Sequence, residues 1–143
     1  MNVYLDSSVL LRKLQREPAT MSSWGRWQHV YSSELLRVEV LRSFDRNRLK
    51  GVLTDHQVAE LATAAQLVFD AIEFVALDRQ VLRRASQSFL TPLGTLDGLH
   101  LATAVHLVES TGIELTFLTH DTQLATAARS MNFEVEGVRI AAQ

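Results

Sequence analysis

At 143 residues, 47% of them hydrophobic and 21% charged, the chain has the length of one domain and enough apolar side chains to bury a core. The absence of cysteine excludes disulfides, thiolate metal sites and cysteine nucleophiles. A net charge of −2 argues against a strongly basic nucleic-acid footprint; all but Lys13 and Lys50 of the fourteen cations are arginines, which suit bidentate phosphate contacts but also follow from a GC-rich coding bias.

Residues 2–6 read as a short strand, and Ser7 and Ser8 as entry to a helix over 9–16 that stops before Pro18. A second short helical stretch is expected at about 20–28, carrying Met21, Trp24 and Trp27. Residues 29–33 form a second strand, closed by Ser33 as a cap to a helix from Glu34 to about Lys50, which Gly51 ends. Thr54 or Asp55 opens a helix with Val58, Leu61, Ala65 and Val68 at helical spacing. A strand over 72–77 follows, then a helix capped by Asp78 and running through Val81, Leu82, Ala85 and Phe89. Pro92 and Gly94 mark a loop. A helix spans Thr95 to about Thr111 and ends at Gly112; a strand at 114–119, a helix at 121–130 and a strand at 133–138 complete the chain. Strands alternating with helices imply parallel βα units. The expected fold class is α/β: one domain over 1–143, three layers (α/β/α), with a parallel sheet of four or five strands and the first strand central between the second and fourth. No apolar run nears the ~20 residues of a membrane helix, and no basic-then-apolar leader is visible. A soluble, cytoplasmic protein with no membrane partner is expected.

Four acids stand out: Asp6, Glu39, Asp97 and Asp121. Each lies at a strand-to-helix junction or one turn inside a helix, in apolar surroundings. Burying one unpaired carboxylate costs several kcal/mol or forces protonation. Four that converge need a positive charge among them, and a hard divalent cation with oxygen ligands supplies one. In open parallel sheets ligands bind beyond the carboxyl ends of the strands, where Asp6 and Asp121 both fall. Taken singly, each is also an ordinary helix N-cap. Asp97 shares a stripe with Leu101, Ala104 and Val108 on a helix that is apolar nearly all round, so it needs a partner. That partner is either a cation or His100, three residues on. Glu39 is a better ligand candidate than Glu34, which lies about 140° away around the helix and behind the cap Ser33.

The ordered set Asp6-Ser7-Ser8, Ser33 to Arg42 around Glu39, Leu96-Asp97-Gly98-Leu99-His100-Leu101-Ala102-Thr103-Ala104 and Leu118-Thr119-His120-Asp121 resembles the PIN-domain family. Within that family it is similar to the VapC toxins of bacterial toxin–antitoxin pairs. The resemblance covers almost the whole chain, with no departure at the four acids. It implies a metal-dependent ribonuclease in which Asp6, Glu39, Asp97 and Asp121 hold Mg²⁺ or Mn²⁺, with Ser8 and Thr119 supporting the site through hydrogen bonds. It also implies an RNA substrate, a cognate VapB-like antitoxin and a homodimer.

Other features admit plain readings. His100 and His106, six residues apart, cannot share a ligand. His120 either assists at the site or is simply solvated. Trp24 and Trp27 stack on RNA bases or, with Met21, belong to core or a subunit contact. Arg42, Arg46, Arg48 and Lys50 hold RNA backbone or form a solvated helix end. A receiver domain would need an acidic pair and a late lysine. A haloacid-dehalogenase-like phosphatase would need a second acid after Asp6. Dinucleotide binding would need a glycine-rich loop. A PIN-like scaffold acting only through protein contacts is the remaining alternative.

Overall fold

The computed structural model describes residues 1–15, 21 and 23–138. The element order is β1 (Asn2–Leu5), α1 (Ser7–Leu14), β2 (His29–Ser33), α2 (Leu35–Leu49), α3 (Asp55–Ala71), β3 (Glu73–Val75), α4 (Arg79–Ala85), α5 (Thr95–Thr111), β4 (Thr116–Leu118), α6 (Thr122–Ser130) and β5 (Glu134–Glu136). The five strands form one parallel sheet in the order β3-β2-β1-β4-β5. β1 is therefore central, between the second and fourth strands.

The alternation of side chains along β1 explains why both faces of the sheet are covered. Val3 and Leu5 point into one core with Val9 and Leu10 of α1, Leu36, Val40 and Phe44 of α2, and Ala65 and Phe69 of α3. Tyr4 points the other way, into a core with Leu101, Ala104 and Val105 of α5 and Leu124, Ala127 and Ala128 of α6. α4 packs along α5. The result is the three-layer α/β/α arrangement.

Local chemistry sets the boundaries. Thr54 forms a reciprocal capping box with Gln57, which starts α3. Asp78 accepts from the Val81 amide at 2.9 Å and opens α4. Gly112 takes φ +74° and ends α5.

Several expected boundaries shift. α1 begins two residues early because Asp6 already supplies the extended N-cap backbone; residue 16 of the expected helix lies outside the described residues. The helix expected near 20–28 is not formed where it is described: residues 23–25 make a turn and 26–28 are non-helical, while 20 and 22 lie outside the described residues. Gly25 at φ +79° is the local reason. Trp24 and Trp27 meet edge-on at 5.0 Å and pack, half-buried, against the α1–α3 core. Phe89 falls beyond α4, in the loop, where the Arg84 guanidinium stacks over its ring at 4.2 Å. The strands at 73–75, 116–118 and 134–136 are shorter than expected. Ser33 does cap α2 in effect, since the Leu35 amide donates to its Oγ at 3.1 Å.

Candidate metal centre

The site is built at the carboxyl ends of β1 and β4. Their pairing runs one step beyond the strands, because the Asp6 amide donates to the Leu118 carbonyl at 3.0 Å. This places Asp6 next to the Thr119–Asp121 segment. Asp6 is buried and its side chain does not cap α1. Instead its Oδ2 accepts from Ser8 Oγ at 2.7 Å and from Thr119 Oγ1 at 2.8 Å. Those hydroxyls accept in turn from the amides of His120 and Asp121, each at 3.0 Å. Oδ2 is thus fully engaged, and Oδ1 takes no hydroxyl or amide donor among the described residues.

Asp121 is an N-cap, as one of its two readings required: Oδ1 accepts from the Leu124 amide at 2.8 Å and opens α6. Its second oxygen is left for another partner. Asp97, in the first turn of α5, accepts no hydrogen bond among the described residues. Burial raises its pKa from 3.8 to about 6, followed by the charges of Asp121 and Asp6; His100 pulls down and Glu39 pushes up. Asp97 therefore senses all three other acids. A carboxyl held near neutrality by burial and like charge is a group that a cation would stabilise in its ionised form.

His100 does not partner Asp97 as its spacing on α5 suggested. The fully buried imidazole donates from Nε2 to Glu39 Oε1 at 2.5 Å, and Asp6 Oδ1 lies 3.8 Å from the same nitrogen. Its Nδ1 meets the Tyr4 hydroxyl at 2.8 Å, and that hydroxyl accepts from the Ser33 amide at 3.2 Å. Burial by itself would lower the His100 pKa, but the Glu39 hydrogen bond and the charges of Asp6, Glu39 and Asp97 overcome it and raise it. Burial, reinforced by the Asp6 charge, pushes the Tyr4 phenol above its usual range. Tyr4 carried a signal that the sequence reading passed over: a tyrosine in a strand buried on both faces must find a partner for its hydroxyl.

The donor set fits a hard divalent ion, because it consists of carboxylate oxygens with negative charge in excess of their cationic partners. As they stand, no three acidic or imidazole side chains among the described residues are arranged as a finished cage. Asp97 is half-exposed at the rim, and Glu39 directs one oxygen onto His100. The His120 side chain is engaged by backbone: its Nδ1 donates to the Gly137 carbonyl at 2.8 Å. Beside Glu39 runs a groove of about 330 Å³ that includes Ser7, Leu35, Val38, Arg42, Arg46 and Leu96.

A parallel α/β/α domain with acids gathered beyond its two central strands is a small class of fold and site together. The family model of the PIN domain matches residues 3–130, and the chain belongs to the PIN-domain family. It is 31% identical over 137 residues to Ribonuclease VapC46 of Mycobacterium tuberculosis, covering 93% of this chain and 95% of that protein. It is 28% identical over 139 residues to Ribonuclease VapC47 from another strain of the same species, covering 92% and 93%.

Proposed function

We propose that the protein is a divalent-metal-dependent endoribonuclease, the toxin of a VapBC-type pair. The observation that carries this reading is Asp97: a half-buried carboxyl without a hydrogen-bond partner among the described residues, its pKa raised to about 6 by burial and by the neighbouring Asp121 and Asp6. Full-length similarity to two proteins named as ribonucleases supports the substrate class.

Asp6 through Oδ1, Asp97, Asp121 through its uncapped oxygen, and Glu39 would hold Mg²⁺ or Mn²⁺. When bound, the ion supplies an activated water and neutralises charge on the phosphoryl oxygens. Ser8 and Thr119 fix the Asp6 carboxylate, so its free oxygen has one direction. The acids themselves repel a phosphodiester, so RNA approaches only with the cation in place. Arg42 and Arg46 line the groove beside Glu39 and would take backbone phosphates. A VapB-like antitoxin and a homodimer are part of the same reading; exposed Val38, Leu41 and Leu96 near the groove offer apolar contact surface. Co-purification with the product of the neighbouring gene, weighed by native mass spectrometry, tests both, and a free monomer alone removes them.

Induced expression in a bacterial host tests the activity. Wild type arrests growth, and Asp97→Ala at equal expression does not. Equal toxicity of that variant would end the nuclease reading.

A further inference from the structure

We infer that His100 is a positioning residue for Glu39, held in place by Tyr4, and that this Tyr4–His100–Glu39 relay aims the remaining Glu39 oxygen at the metal centre. The inference rests on the metal-dependent reading of the site. Glu39 is mounted on α2 and the other acids on the β1–α1 junction, α5 and the β4–α6 junction; its side chain is the longest of the four and has the most torsions to fix. Its three side-chain torsions must be fixed to bring it to one geometry, at a cost in side-chain entropy.

The structure supplies the fixing contact from the opposite face of the sheet. His100 is fully buried, so its ring has no alternative solvent partner. Ionised Glu39 is only an acceptor, so the proton between them resides on Nε2. The other ring nitrogen is held by Tyr4, whose hydroxyl is itself held by the Ser33 amide at the end of β2. Tyr4 is wedged by stacking on Phe117 at 5.0 Å. Every link back from Glu39 Oε1 is thus buried, hydrogen-bonded and anchored in a central strand. Oε2 has no partner among the described residues.

Calorimetric titration of the full chain with Mn²⁺ tests this in a double-mutant cycle of His100→Leu and Glu39→Gln. His100→Leu should weaken Mn²⁺ affinity by about tenfold, the scale of losing an outer partner of a ligand. Glu39→Gln should weaken it similarly, and the double variant no further, because both changes remove one function. His100→Gln, which retains a donor at a similar distance from the backbone, should recover most of the affinity. If His100→Leu does not fold, Tyr4→Phe carries the test: it keeps the ring, frees His100 to reorient, and should weaken Mn²⁺ binding about threefold to tenfold. Unchanged affinity in the folded variants, or losses that add fully with Glu39→Gln, would reduce His100 to a packing residue and overturn the inference alone. A wild type that binds no Mn²⁺ would overturn the metal reading and the inference with it, a distinct outcome.

Discussion

Asp97 has the most exposed thermodynamic signature of any single residue in the site. Its folded pKa of about 6 stands above the ordinary 3.8, so between those values the folded state holds more protons than the unfolded state. Stability therefore falls as pH rises through that window, and above it the ionised carboxyl imposes its full cost. Asp97→Asn removes the charge and keeps the shape. In EDTA the variant should melt above wild type at pH 7.5, and the gap should close as pH approaches 4. A gap of constant size from pH 4 to 7.5 would mean that Asp97 is not held near its neighbours' charges. The paired hydroxyls make a second prediction. Thr119→Val deletes a buried donor to Asp6 and leaves the partly buried Asp121 amide without its acceptor. It should cost about 1–3 kcal/mol in denaturant unfolding, whereas Thr119→Ser should be milder because the hydroxyl survives.

Elements carry the site by their ends. β1, β4 and β5 finish level with one another, since Thr119 donates from its amide to the Glu136 carbonyl at 3.1 Å just as Asp6 does to Leu118. Gly137 then turns the chain away at φ +109°, and a Cβ there would run into the Thr119 carbonyl. Gly137→Ala should destabilise by more than ~1 kcal/mol through strain and crowding; by displacing Thr119 it should also weaken Mn²⁺ binding. A variant with wild-type melting and wild-type affinity would contradict that link. The helices repeat the lesson that caps are readable while turns of chain are not. The start of α3 was narrowed to Thr54 or Asp55 before the Gln57 contact decided for Thr54, and Asp78 and Gly112 announced their helix ends from sequence alone. The stretch around Trp24 did not, because its apolar residues at three-residue steps mimic a helix period, and Gly25 needs a left-handed backbone that periodicity cannot register.

At the scale of the molecule, the topology followed from pattern: strand and helix alternate, and a first strand apolar on both faces belongs at the centre. The four acids drew attention for a related reason, Asp6 and Asp121 as charges at the ends of apolar strands and Glu39 and Asp97 as charges one turn inside apolar helices. Their partners were harder to read. His100 lies three residues from Asp97 on one helix, yet the imidazole meets Glu39 of a helix on the opposite face of the sheet, 61 positions away in the chain; only the packing of α2 against the sheet decides that. Nor did sequence separate the arginines: Arg48 is engaged by Asp45 at 2.8 Å, while Arg42 and Arg46 border the groove. Charge-neutralising Arg42→Gln and Arg46→Gln should therefore weaken RNA binding and flatten its salt dependence, with Arg48→Gln closer to neutral. Equal effects at all three would remove the groove as the RNA path.

No described helix is long and apolar enough to cross a membrane. The most direct measurement is cleavage of a labelled RNA pool by purified wild type and by Asp97→Asn, with Mn²⁺ and with EDTA. Wild type should cut with Mn²⁺ and stop in EDTA, and Asp97→Asn, folded at least as stably, should leave the RNA intact in both. Cleavage by Asp97→Asn at the wild-type rate, or by wild type undiminished in EDTA, would contradict the acidic metal centre.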